Sequence, residues 1–86
     1  MKSNYYEVTT ANTTYYVRTN KWHGIDGITK SETIAYGGKY GVLYLNSSER
    51  PKVGVPLTGS DCTHRVRTSP VRAARRISFK EFSQKF

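Results

Sequence analysis

The alternation of apolar and polar residues near the start of the chain predicts a β-hairpin. Residues 5–10 and 13–19 are rich in Tyr, Val and Thr, which favour strands. A turn centred on residues 11 and 12 puts four apolar side chains on one face: Val8 opposite Tyr15, and Tyr6 opposite Val17. The other face then carries Tyr5, Glu7, Tyr16 and Arg18. A slip of one residue would scramble both faces, so the register is well specified.

A second hairpin is predicted over residues 33–45, because Gly37-Gly38 can supply the positive φ angles of a tight turn. Its second strand places Tyr40, Val42 and Tyr44 on one face and Leu43 and Leu45 on the other. Since both faces are partly apolar, we expect this strand inside the sheet. Residues 20–31, between the hairpins, read as a loop because turn-forming residues recur there: Asn20, Gly24, Asp26 and Gly27.

The third quarter of the chain has a weaker pattern. Residues 46–61 are rich in Pro and Gly and read as a loop, with room for a short edge pairing at residues 53–57, where proline is tolerated. Residues 62–68 read as a strand. One face of that strand would carry Cys62, His64 and Val66, and the other Thr63, Arg65 and Arg67.

Helix signals begin at Ser69-Pro70, an N-cap residue followed by a first-turn proline. They predict a short helix over residues 71–77. Ser78 and Glu81 match a capping box that begins a second helix. On that helix Phe79, Phe82 and Phe86 share one face, which we expect to pack on the sheet. The fold class predicted is α+β: a small antiparallel sheet of four or five strands with one or two short C-terminal helices, in a single domain spanning residues 1–86.

Composition supports a folded chain with a thin core. Only 36% of the 86 residues are hydrophobic, but 13% are aromatic, and large rings bury much area each. The lone cysteine, Cys62, excludes an internal disulfide and suits a reducing compartment. The start of the chain lacks the apolar run of a secretion signal, and no stretch approaches the ~20 apolar residues of a membrane span. We therefore expect a cytoplasmic protein, in a host cell if the chain is viral.

The net charge of +8 is concentrated in the second half of the chain. Residues 1–43 hold five basic and three acidic residues, whereas residues 44–86 hold nine and three. A field of one sign attracts polyanions, namely nucleic acid, an acidic protein or an anionic membrane. The alternative is a basic surface that only keeps the protein soluble.

The strongest candidate site is a set of five arginines between positions 62 and 80, where no acid occurs: Arg65, Arg67, Arg72, Arg75 and Arg76. A strand would project the first two together, and a helix would place Arg72 and either Arg75 or Arg76 on one face, giving a stripe of forked donors for phosphate oxygens. Five to eight phosphate contacts predict a log–log salt slope of roughly −4 to −7.

Aromatic residues supply a second signal. The sequence holds more rings than a small core can bury, among them Tyr5, Tyr16, Trp22, Tyr36, Tyr40 and Tyr44. Exposed rings beside positive charge bind single-stranded nucleic acid by stacking, although tyrosines also cover sheets with their hydroxyls in water. The second-tier site residues are Arg18, Lys21, Trp22 and Tyr16.

Other site chemistries are weakly supported. Cys62, His64 and His23 do not have zinc-knuckle spacing, and a fourth ligand is missing unless Asp61 serves. A Cys–His nucleophile would lack an orienting group, and the acids are scattered. We therefore expect a protein that is not an enzyme, with no cofactor, no metal, no small-molecule substrate and no membrane partner.

The tyrosine-rich MKSNYYEVTT and the arginine-rich SPVRAARRISF resemble the small basic accessory proteins of tailed phages, particularly the TifA-type RNA-binding toxin inhibitors of T4-like phages. The resemblance implies a counter-defence role, in which a host toxin or nuclease is neutralised with RNA in the complex. It lies in overall character and implies no site residues. The sequence favours RNA binding, single-stranded by preference. The alternative is a protein-binding inhibitor or a structural protein that docks on an acidic protein surface without nucleic acid.

Overall fold

The computed structural model describes residues 2–37, 41–46, 51–61 and 64–85. Within these residues the chain forms seven strands and one helix: β1 (Lys2–Thr9), β2 (Thr14–His23), β3 (Thr29–Tyr36), β4 (Val42–Leu45), β5 (Pro56–Ser60), β6 (Arg65–Pro70), β7 (Ala73–Ile77) and α1 (Phe79–Ser83). The strands make one antiparallel sheet in the order β6-β5-β4-β3-β2-β1-β7. The predicted α+β class with four or five strands is therefore wrong, and the chain is mainly β.

The first predicted hairpin has the predicted register. In the β1–β2 ladder Val8 pairs with Tyr15 and Tyr6 with Val17, while Tyr5 lies opposite Arg18. The second hairpin is also present as β3 and β4, and β4 lies inside the sheet as expected. Its turn begins at Gly37, whose φ is 130°. Gly38 and Tyr40 lie outside the described residues.

The long loop predicted over residues 20–31 is wrong, because only its centre turns. Strand β2 continues to His23 and β3 begins at Thr29, with Trp22 paired to Lys30. The turn is closed by hydrogen bonds from Gly27 N to Gly24 O (3.0 Å) and from Gly24 N to Ile28 O (2.9 Å). This two-stranded arm extends past the ends of β1 and β4. Both of its faces carry polar residues, so the sequence lacks the apolar–polar alternation that predicts a strand.

The helix predicted over residues 71–77 is wrong, because residues 73–77 form strand β7. It pairs with β1, with Glu7 opposite Arg75 and Val8 opposite Ala74. A helix of about seven residues is unstable alone, because nucleation is costly and few hydrogen bonds follow it. Pairing with β1 satisfies the same backbone groups. Ser69 and Pro70, predicted to start the helix, lie in β6.

Strands β6 and β7 are two halves of one bent strand. They lie at opposite edges of the sheet, yet only residues 71 and 72 separate them in the chain. Six antiparallel strand pairs lie between the two edges, so β6 and β7 run in the same direction. A flat sheet would hold them about 29 Å apart, at about 4.8 Å per strand. Three Cα–Cα steps span at most about 11 Å, so the sheet must curl. We call residues 65–77 the bent strand.

Val71 sits where the two edges meet. Its N–H donates to Val55 O (3.2 Å) and its carbonyl accepts from Gly54 N (2.8 Å), while the next N–H, of Arg72, donates to Thr9 O (2.7 Å). The Val71 side chain is 2% exposed. The bend thus joins the β1 side of the sheet to the β5 side.

The inner, concave face of the curled sheet holds the main core. One cluster contains residues from six strands and the bend: Tyr6, Val8, Tyr15, Val17, Ala35, Leu43, Leu57, Val66 and Val71. A curled sheet encloses this face and removes more of its apolar surface from water than a flat sheet would. Burial of this shared face is therefore the force that favours the curl.

Helix α1 packs on the outer, convex face over β1–β3. Ser78 caps it by accepting a hydrogen bond from Glu81 N (3.1 Å), as the sequence predicted. Phe82 is 7% exposed and lies near the rings of Tyr5 and Tyr36, with centroids 4.8 and 5.8 Å away. The prediction for Phe79 is wrong in part, because that side chain is 63% exposed. Phe86 lies outside the described residues.

Candidate nucleic-acid interface

All five predicted arginines lie on the bent strand, and all are exposed. Arg65 and Arg67 belong to β6, Arg72 lies at the bend, and Arg75 and Arg76 belong to β7. The predicted stripe therefore runs along one strand that changes partners, not along a strand followed by a helix.

The first two arginines share a face, as their spacing predicted. Arg65 and Arg67 flank Val66, which is 9% exposed and part of the core, so both guanidinium groups lie on the outer face. In the parts of the chain that are described, no carboxylate pairs with either group. Two positive charges two residues apart on an open surface are a strong attraction for phosphate.

The two β7 arginines lie on opposite faces of the sheet. Arg75 contacts Glu81 (2.5 Å) and Glu7 (3.4 Å) on the outer face. Arg76 donates from Nη2 to Asn4 Oδ1 (2.9 Å) on the other face. The helical face predicted to align Arg72 with either Arg75 or Arg76 is therefore wrong, because residues 73–77 form a strand.

The carboxylates beside Arg75 offset its charge. Its hydrogen bond to Glu81, followed by the attraction of Glu81 and Glu7, raises the pKa of the guanidinium above its ordinary value. The Nη1 and Nη2 groups of Arg75 are already hydrogen-bonded to Glu81, so this guanidinium is less available to an outside anion. We leave it out of the proposed interface.

The second-tier residues lie on β2, which three strands separate from β6. The side chains of Arg18 and Tyr16 are half-buried, and Lys85 lies 5.8 Å from the centroid of the Tyr16 ring. Arg18 Nε is buried without a hydrogen-bond partner among the described residues. Lys21 and Trp22 lie towards the arm. The structure therefore does not bring these four residues onto the surface of Arg65 and Arg67.

An exposed aromatic ring does lie beside that surface. Tyr44 on β4 pairs with Ser60 on β5, which pairs with Arg65 on β6, so the three residues form one row across the outer face. Tyr44 is 50% exposed. Thr58 pairs with Arg67 in the adjacent row. We call Tyr44, Thr58, Ser60, Arg65 and Arg67 the arginine face.

The arginine face contains an open depression of about 640 Å³, lined by Asn46, Thr58, Ser60, Arg65 and Arg67 among others. Gly59 lets β4 and β5 approach closely beneath it, because a Cβ at this position would collide with the carbonyl oxygen of Tyr44. The depression combines hydroxyl, amide and guanidinium groups next to an aromatic ring. The sequence places Tyr44 among six rings that a small core cannot all bury. It could not pair this ring with Arg65, since their strands meet only through β5.

The other tyrosines are mostly used for packing. Tyr6 and Tyr15 lie in the inner core, and Tyr5 and Tyr36 support Phe82 on the outer face. The aromatic excess that the sequence suggested for stacking thus supplies two packed layers, with Tyr44 left open beside the arginines.

The described residues do not assemble the other chemistries considered from the sequence. In this part of the chain, no three His, Cys, Asp or Glu side chains are placed to hold a metal ion. His23 Nδ1 is 3.3 Å from Thr29 Oγ1, the backbone N–H of His64 donates to Asp61, and Cys62 lies outside the described residues. No helix within the described ranges has the length and apolar character needed to cross a membrane.

Comparisons with family models, with curated proteins and with solved structures each found no match.

Proposed function

We propose that this protein binds single-stranded RNA, without transforming it, through the arginine face. The observation that supports the proposal best is the row in which the exposed Tyr44 ring lies two strands from Arg65, with Arg67 alongside. An aromatic ring holds a base by stacking, and neighbouring guanidinium groups hold its phosphates. Both contacts tolerate any base, so binding is largely independent of sequence.

The polar groups of the depression favour RNA over DNA. Thr58 and Ser60 present hydroxyls and Asn46 an amide beside the arginines. These groups can bond the ribose 2′-hydroxyl, which DNA lacks. A single strand also suits the face better than a duplex, because stacking on Tyr44 requires an unpaired base.

The number of available cations sets the salt dependence. Arg65 and Arg67 of the arginine face and Arg72 at the bend are exposed and pair with no carboxylate of the described residues, whereas Arg75 is engaged and Arg76 lies on the opposite face of the sheet. Up to three phosphate contacts predict a log–log salt slope of about −2 for a single strand. This slope is shallower than the one predicted from the sequence, because fewer cations are available on this face and because each contact contributes less on a single strand than on a duplex.

The test is binding of a labelled RNA oligomer across a salt titration, with single-stranded and double-stranded DNA of matched sequence alongside. R65E/R67E should weaken RNA binding about 10- to 100-fold at low salt, because two attractive contacts become repulsive. The matched control is K30E/K80E. Both double variants lower the net charge from +8 to +4, since each substitution removes two charge units.

A larger loss in R65E/R67E than in K30E/K80E supports the arginine face as the RNA site. Equal losses would show that only net charge matters and would refute the proposed site. If the wild-type protein binds none of the oligomers, RNA binding itself is refuted, and a protein with an acidic surface becomes the expected partner.

A further inference from the structure

A second depression lies at the other end of the bent strand. Strand β7 ends at Ile77 and the chain turns into α1, whereas β1 continues to Lys2 beyond the last β7 pair, Tyr5 with Ile77. The step between them leaves an open hollow of about 430 Å³. Its lining includes Ser3, Asn4, Tyr5, Arg76 and Phe79, and we call it the β1–β7 notch.

Phe79 gives the notch an open aromatic surface. The side chain is 63% exposed, and its ring centroid lies 5.5 Å from that of Tyr5 at an interplanar angle of 54°. The ring is held in place because Ser78 caps the helix and Phe82 anchors it to the sheet. A fixed, exposed ring loses little entropy when a planar group stacks on it.

Arg76 gives the notch a positive charge that a hydrogen bond orients and that no carboxylate of the described residues neutralises. Its Nη2 donates to Asn4 Oδ1 at 2.9 Å, and an amide is a neutral partner. No carboxylate of the described residues pairs with this guanidinium, in contrast to its neighbour Arg75. One of five N–H donors is bonded to Asn4, so the group can still bind an anionic oxygen.

A base-sized ring surface and an oriented guanidinium in one hollow fit a nucleotide. Building on the RNA binding proposed above, we propose that the β1–β7 notch holds a second nucleotide of the same RNA strand. Phe79 stacks on the base and Arg76 binds the phosphate. From Arg67 to Arg76 the bent strand covers at most about 30 Å at about 3.3 Å per residue. Arg76 lies on the face opposite Arg67, so one RNA strand that follows the bent strand passes over the β7 edge of the sheet to reach both places.

Two contact points on one ligand make affinity depend on ligand length. A short oligomer occupies only the arginine face, whereas a longer one gains the notch as an intramolecular contact. The test uses oligouridines of about 4 and about 12 nucleotides, within the range of site sizes of small β-barrel domains. For the wild-type protein we expect the longer oligomer to bind at least about tenfold more tightly, after correction for the number of binding frames.

The diagnostic variant is R76Q/F79S, whose thermal unfolding should stay close to wild type because both side chains are exposed. It should bind the short oligomer within about twofold of wild type and lose most of the gain from added length. The matched control is I28S/K30Q on the arm, which also removes one exposed apolar side chain and one positive charge. This control should keep the gain.

The outcomes separate the notch from the proposed function. Wild-type affinity of R76Q/F79S for the long oligomer, with R65E/R67E still defective at both lengths, would refute the notch alone. Absence of RNA binding by the wild-type protein at either length would refute both proposals.

Discussion

At the scale of single residues, side-chain surroundings separate arginines that look equivalent in the sequence. Arg75 and Arg76 are neighbours, yet one is bonded to Glu81 and Glu7 and the other to the neutral Asn4. Strand alternation sends them to opposite faces. Charge counting therefore overestimates the number of cations that an anionic ligand meets.

Tyr44 provides the sharpest test at this scale. Y44A should weaken RNA binding about tenfold, because stacking contributes about 1–3 kcal/mol per base. Y44F should bind within about twofold of wild type, since it keeps the ring and loses only the hydroxyl. Fluorescence anisotropy with a labelled oligomer measures both. Equal affinity of Y44A and wild type would show that the ring does not stack on a base.

At the scale of elements, the Ser78 cap and the first hairpin turn were predicted correctly, whereas the helix start predicted at Ser69-Pro70 was wrong, because that segment pairs with other strands. The capped start of α1 and the β1–β2 register are local and are present in the structure. The sequence of β7 (Ala73–Ile77) contains good helix formers, and its strand partner lies at the opposite end of the chain. The segment forms a strand despite its helix propensity, because pairing with β1 satisfies its backbone hydrogen bonds.

Ala74 discriminates between the two conformations of that element. It is exposed and lies opposite Val8 in the β1–β7 ladder. A74V should leave stability unchanged or raise it by up to about 1 kcal/mol, because β-branched residues favour strands. The same change in a helix would lower stability by about 0.5 kcal/mol. Urea unfolding measures the sign, with A11V in the exposed β1–β2 turn as the control.

At the scale of the whole molecule, the bent strand is the feature that makes the sheet curl and places the proposed contacts. It carries the arginine face at one end and the β1–β7 notch at the other, and Val71 lies between them. The proposed binding surface and the core are thus coupled through one segment. Disturbing its centre should affect both halves of the sheet.

Replacing Val71 with Ala should lower the free energy of unfolding by about 1.5–3 kcal/mol, the value of burying a Val side chain. Because the bend joins the two edges, Trp22 fluorescence and far-UV circular dichroism should report one shared transition at a lower urea midpoint. V53A is the matched control, since Val53 is 66% exposed, and it should change stability by less than about 0.5 kcal/mol. Separate transitions for the two probes in V71A would contradict the coupling.

The sequence by itself determined the features that depend on near neighbours. Alternation over residues 5–19 specified which side chains of the first hairpin face each other, and Ser78 and Glu81 specified where α1 begins. Tertiary structure alone decided the conformation of β7, the curl of the sheet, and the pairing of Arg75 with Glu7. Those features depend on contacts between segments such as Asn4 and Arg76, which are 72 positions apart. A local pattern carries no information about which distant strand will satisfy its backbone and charges.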